Sequence, residues 1–350
     1  MAKRWVRRPE GSNWGDFGED DQLGRLNLLT REKVLKGIAE VQEGRTFCLS
    51  LPLDFPGGNF LSPARFPPEL RPTFRHGRPR MNYPLAKENP AYTDIICDDV
   101  VVLTLQYSTQ WDSLAHIGST FDADGDGVAE TVYYNGFRAG DHVHGPVRYE
   151  NEKETPTPDT MGAKALGVET MAECCVQGRG VMVDLYHHFG RDRRRVGYDD
   201  MMRAIEADRV ELETGDMLCV HTGFGEVVLE QNRRPNPDIL HASCAVLDGH
   251  DERLLRWVTD SGIAVLVTDN YAVEHYPRSM ADAPAHGVGP AYPLHEHCLF
   301  KLGLPLGELW YFTELATWLR NKNRSRFLLT APPLRLPGAV GSPATPVATV

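Results

Sequence analysis

Residues 263–270 read IAVLVTDN, an apolar run that closes on Asp269 and Asn270. Two runs of the same kind precede it, VMVDL at 181–185 and DMLCVHTGF at 216–224. Each is short and bounded by Gly, Asp or Asn, as buried strands are. Helical patterns separate them, YDDMMRAIEAD at 198–208 and DERLLRWVTDSG at 251–262. Strands alternating with helices in this way predict an α/β domain.

Moving outward from that centre, REKVLKGIAEVQE (31–43) has helical spacing and stops before Gly44, and TFCLSLPL (46–53) reads as a strand. Residues 54–92 are rich in Pro, Gly, Arg and Asn. A loop of that length in a compact domain is usually a functional cover or disordered. Its aromatics Phe60, Phe66, Phe74 and Tyr83 favour an ordered cover. DDVVVLTLQ (98–106) is a β-branched run. The tail 331–350 is rich in Pro and Gly and reads as extended or loosely packed. No repeat and no composition shift divides the chain, so residues 1–350 read as a single domain.

Bulk properties exclude several classes. Net charge is -11 over 350 residues, which disfavours nucleic acid as a partner. The basic start MAKRWVRR leads into no apolar run, and no segment has the length to span a bilayer. Seven scattered cysteines suit a reducing compartment, and the reading is cytoplasm.

The stretch 108–127, STQWDSLAHIGSTFDADGDG, holds two candidate metal signals. Asp122, Asp124, Asp126 and Gly127 fill positions 1, 3, 5 and 6 of a calcium loop, but Tyr133 stands at position 12, where a bidentate Glu belongs. A surface turn is the expectation there. In the other signal, Gln106, Ser108, Gln110 and Asp112 would share one face of an extended chain, with His116 in reach if the chain turns. Strand ends that feed loops are where α/β proteins place their chemistry. By spacing alone, a polar edge strand with an exposed His fits equally.

The run Gln106-Tyr107-Ser108-Thr109-Gln110-Trp111-Asp112-Ser113-Leu114-Ala115-His116 resembles the signature His-x-Gly-Thr-His-x-Asp-x3-His of the cyclase-like metal-dependent hydrolases. That family includes bacterial kynurenine formamidase and isatin hydrolase. Further similar stretches are WGDFGEDDQLGRLNLLT (14–30), YYNGF (133–137), VTDNYAVE (267–274), PLHEHCLFKLGLPLGEL (293–309) and APPLRLPGAVGSP (331–343). The resemblance implies a swivelling β/β/α domain with a central mixed sheet and flanking helices. It also implies a homo-dimer or homo-tetramer, and hydrolysis of an amide, lactam or similar C–N or ester bond in a small, often aromatic, substrate. It places a divalent ion, manganese or zinc, on the motif residues together with His295 and Glu308, and gives His116 acid–base work with Asp112.

This chain departs from the signature at both metal-binding His positions, which are Gln106 and Gln110. A carboxamide oxygen is a weak, neutral donor suited to harder ions than zinc. A set of Gln110, Asp112, His295 and Glu308 would tolerate manganese, magnesium or calcium, or hold no ion. Gln110 could instead contact substrate. Three readings stay open: a metal-assisted hydrolase, a metal-independent acid–base enzyme (hydrolase, dehydratase or isomerase) using the same pocket, and a non-catalytic small-molecule-binding module.

Four other positions are substrate-pocket candidates beside a bland alternative. Trp111 either packs or stacks on an aromatic substrate. His221 either lines the pocket or is a hydrogen-bonded core His. Asp269 and Asn270 either face the pocket or form a turn. Glu274 has no evident role. Of His286, His295 and His297, the helix-like pattern after Leu294 favours His295 alone.

Overall fold

In the computed structural model, which describes residues 4–59, 61–150, 153–157, 161–276 and 289–350, the three apolar runs lie side by side. Nine strands build the main sheet: β1 Thr46–Cys48, β2 Gln110–Asp112, β3 Gln177–Asp184, β4 Met217–His221, β5 Val265–Thr268, β6 Leu306–Glu308, β7 Arg326–Thr330, β8 Gly341–Pro343 and β9 Val347–Thr349. Their order is β1-β9-β7-β3-β4-β5-β6-β2-β8. The centre, β3 to β6, is parallel. Both flanks are antiparallel, so the sheet is mixed.

Side chains alternate across the pleat, and here both sides are apolar. Val181, Val183, Leu218, Val220 and Leu266 enter one core cluster. Their neighbours Met182, Met217, Cys219, Val265 and Val267 enter another on the opposite face. Helices Tyr198–Ala207 and Glu252–Ser261 bury Met201, Ala204, Leu254 and Val258 in the first cluster. Helix Thr313–Asn321 buries Leu315 and Leu319 in the second. Caps set the ends: Asp251 accepts from the amides of Arg253 and Leu254, and Gly262 stops that helix in the left-handed region at φ 66°. Such an N-cap contributes ~1 kcal/mol.

Helix Arg31–Ala39, four residues shorter than its sequence pattern predicts, lies on β3 and β7. The approach is close because Gly37 has no side chain; a Cβ there would meet the Gly178 carbonyl oxygen at 2.7 Å. An ionic cluster fastens the same helix. Lys33 Nζ lies 3.1 Å from Glu213 and 2.9 Å from Asp216, and Arg179 grips Asp216 through two bonds of 2.9 and 2.8 Å.

Two segments fold in ways that their composition left open. The β-branched run 98–106 does not enter the sheet: Asp99–Val102 pairs with Glu69–Pro72 as an exposed two-stranded arm, and residues 105–109 turn. β propensity favours extended backbone but does not say what covers it. The tail is extended but not loose. It supplies β8 and β9, with Ser342, Ala344, Ala348 and Val350 buried. Its Pro and Gly residues sit at or between strands of the sheet's edges, where they are tolerated.

Candidate active site

The antiparallel register of β2 and β6 sets Gln110 opposite Glu308. Asp112, two residues on, faces the same side. Gln110 Nε2 donates to Glu308 Oε2 at 3.1 Å and to Asp112 Oδ1 at 3.2 Å. Beyond Asp112 the chain turns, His116 N donating to the Ser113 carbonyl, and His116 Nε2 returns to 3.8 Å from Asp112 Oδ1. His116 keeps 20% of its side chain exposed, whereas Asp112 is fully buried.

His295 arrives on a helical turn, Pro293–His295. The buried Glu274 carboxylate holds that turn: it accepts from the amides of Leu294 at 3.0 Å and His295 at 2.8 Å, and from His295 Nδ1 at 2.8 Å. The opposite ring nitrogen, Nε2, lies 3.1 Å from Glu308 Oε1. Glu274 thus fixes which nitrogen of His295 faces the cluster.

Burial pushes the Asp112 carboxyl above the ordinary range, and Glu308 adds to this while His116 and His295 oppose it. At His295, burial works against the charged ring, but hydrogen bonds to Glu274 and Glu308 outweigh it and raise its pKa to about 10. Burial likewise acts against the Glu308 carboxylate, yet the bond from His295 holds its pKa below the usual value. The two carboxylates therefore favour a proton on His295 Nε2, the position that a ligated ion would take instead.

Asp112, His295 and Glu308 offer ligand atoms that all lie within 4.8 Å of one another. Two buried oxygens among them, Gln110 Oε1 and Asp112 Oδ2, have no donor. Orphaned acceptors beside convergent carboxylates suit a cation, and Glu274 already orients Nε2 as a ligand nitrogen requires. The set fits a divalent ion.

The cluster opens into a cavity of about 200 Å³. His116, His295 and Glu308 line its inner end, with Gln106 beside them. Pro56, Gly58, Asn59, Leu61, Ser62 and Arg65 of the long loop line one side, and Tyr271, Tyr276 and Tyr292 another. Sequence reasoning missed Arg65 and the three tyrosines, because nothing local marks a loop residue as pocket-facing. For Glu274 a signal existed: an acidic residue ending VTDNYAVE, within the stretches that carry the resemblance.

Other candidates lie elsewhere. Trp111 points to the opposite side of β2, fully buried, its indole N–H donating to the Ala331 carbonyl at 2.7 Å and its ring edge-on to Trp310. The alternation that unites Gln110 with Asp112 excludes it from the pocket. His221 and Asp269 do not line the cavity either. His221 Nδ1 meets Asp184 at 2.8 Å, and Asp269 accepts from Thr222 and Gly223 ahead of helix Phe224–Glu230. Asn270 is buried too, its amide donating to the Ala245 carbonyl. Of the long loop's aromatics, Phe66 and Phe74 are exposed and Tyr83 is buried off the cavity, while Phe60 and His286 lie outside the described residues. In the acidic loop, Asp122 accepts from Gly125, Gly127 and Arg7, and Asp124 from Asp126 and Arg138, which is the bonding of a surface turn.

A family described as "Putative cyclase" matches residues 69–275. A search of curated proteins returned no match. Among solved structures, one described as a novel cyclase shares 27% identity over 97% of both chains, with a TM-score of 0.71. An isatin hydrolase bound to the product analogue thioisatinate shares 12% identity, covers 92% of this chain and 99% of its own, and superposes with a TM-score of 0.54. Isatin hydrolase A from Labrenzia aggregata, bound to benzyl benzoate, gives 13% identity, 91% and 97% coverage and a TM-score of 0.53. At those identities the two hydrolases share the fold.

Proposed function

The chain belongs to the cyclase family, and from that premise we propose that it hydrolyses a C–N or ester bond in a small, aromatic substrate. The observation that carries this reading is the buried cluster of Gln110, Asp112, His295 and Glu308, with two donorless oxygens, set against a partly exposed His116 at one cavity. The isatin hydrolases named above, which share this fold, act on a compound of that kind.

Asp112, Glu308, His295 Nε2 and the Gln110 amide oxygen would hold a divalent ion. When bound, such an ion supplies Lewis-acid polarisation of a carbonyl and acidifies water. His116 Nε2 takes the proton from the attacking water as its oxygen bonds to the carbonyl carbon. It returns that proton to the leaving nitrogen or oxygen as the scissile bond breaks. Asp112, 3.8 Å from His116 Nε2, stabilises the ring's charged form electrostatically. Glu274 holds His295 in place.

A second reading rests on Gln110. Its amide nitrogen bridges Asp112 and Glu308, holding the two carboxylates together without an ion. In that case the same His116 works by acid–base chemistry alone. The deciding experiment is elemental analysis of protein purified without chelator, paired with turnover of an anilide, lactam and aryl-ester panel before and after metal stripping. Stoichiometric manganese or magnesium with activity lost on stripping supports the first reading. Activity that survives stripping supports the second, and absence of turnover on the whole panel removes both.

We also read the chain as a cytoplasmic homo-oligomer. Among the described residues no helix is long and apolar enough to cross a membrane. The arm formed by Glu69–Pro72 and Asp99–Val102 exposes Leu70, Val100, Val101 and Val102, with Phe74 beside it. Two-stranded pairs are marginal in water on their own, so a second copy is the natural cover.

A further inference from the structure

The cavity has three chemically different walls. Its inner end is anionic, with Glu308 lining it and Asp112 behind. A line of rings forms the second wall: Tyr271 to Tyr276 at 6.3 Å, Tyr276 to Tyr292 at 5.6 Å and Tyr292 to His295 at 5.7 Å between centroids. The third wall is the loop segment that presents Asn59, Ser62 and Arg65.

Arg65 is the cation of that wall. Its Nη1 donates to the Gln106 carbonyl at 2.9 Å, which anchors the head group at the cavity. Among the described residues no carboxylate pairs with it within 4 Å, although most arginines of this chain are so paired. A half-buried guanidinium uses few of its five donors in a single carbonyl bond. The remaining fork suits a planar anion in bidentate geometry.

From this arrangement we infer that the substrate is an aromatic carboxylate: its ring lies along the tyrosine wall, its carboxylate is bound by Arg65, and its scissile group points to His116. The volume agrees, since a cavity of about 150 Å³ accommodates benzene and this one, at about 200 Å³, leaves room for ring substituents. With its carboxylate on Arg65 and its scissile group at His116, the substrate would span the cavity from the loop wall to the inner end. This inference rests on the hydrolase reading for the direction of the scissile group, but its anion-binding part does not.

The test is calorimetric binding of two probes that differ only in the remote group: benzamide bearing a meta carboxylate, and the corresponding meta dicarboxamide. Both are titrated into the full chain with chelator and again with manganese. The carboxylate probe should bind about tenfold more tightly or better, as a charge-assisted pair implies. Arg65→Gln should abolish that preference and leave dicarboxamide affinity unchanged, and Arg65→Lys should restore part of it. Equal affinity in the wild type overturns the inference, as does a preference that persists in Arg65→Gln. If Arg65→Gln fails to fold, as its thermal midpoint would reveal, the wild-type ratio and Arg65→Lys still decide. A preference that obeys Arg65 in a protein without turnover would sink the hydrolase reading and leave the anion site standing.

Discussion

His116 is the residue on which both chemical readings converge. It lines the cavity with 20% of its side chain exposed, lies 3.8 Å from a buried carboxylate, and carries the imidazole that most often serves as a general acid and base. His116→Ala should cut turnover by ~10²–10⁴ while thermal midpoint and bound metal stay near wild type. Near-normal turnover in that variant would remove His116 from the chemistry in both readings. Glu274 predicts the opposite pattern. It satisfies two backbone amides and one imidazole in a buried setting, so Glu274→Ala strands all three donors. The expected loss is about 3 kcal/mol or more, measured by denaturant unfolding. An unchanged midpoint would show that the buried pair is not structural. Gln110, Asp112 and His116 were legible from spacing together with resemblance, and His295 and Glu308 from resemblance alone; strand register, a turn and a helical turn bring the five together. Trp111 was misplaced for want of a known pleat. Arg65 was invisible, since a loop residue acquires its direction only from the fold around it.

At the scale of elements, the buried strands were readable because apolar runs bounded by Asp, Asn and Gly have few other solutions. The exposed arm was not. DVVV at 99–102 has the composition of a core strand, yet all four residues are exposed. Burying such a strand face against a second copy resolves that conflict between sequence and setting. Replacing Leu70 and Val101 with Asp should therefore shift the chain toward a smaller species by sedimentation equilibrium, with helix content unchanged. An assembly state unaffected by both substitutions would place any interface elsewhere.

For the whole molecule, the ionic cluster at Lys33, Arg179, Glu213 and Asp216 ties an N-terminal helix to the sheet, and it makes stability depend on pH. Hydrogen bonds from Lys36 and Lys33 lower the Glu213 pKa to about 2, against 4.5 in the absence of partners. The unfolded chain then binds the extra proton first. The contribution is fully present above about pH 4.5 and fades as pH falls through about 2. Urea midpoints should drop across that window, and the drop should be shallower in Glu213→Gln; identical slopes would exclude this group. The single-domain reading from composition concerned this same scale, and the part of it that sequence could not supply was closure. Strand β1 pairs only with β9, and β2 is flanked by β8, so residues 46–48 and 110–112 wait on partners at 341–349. Contacts so distant along the chain form late and slowly. The strand bearing Gln110 and Asp112 must therefore spend its early life with unpaired edges, and the candidate site takes shape only once residues 306–308 and 341–343 have been made and have docked.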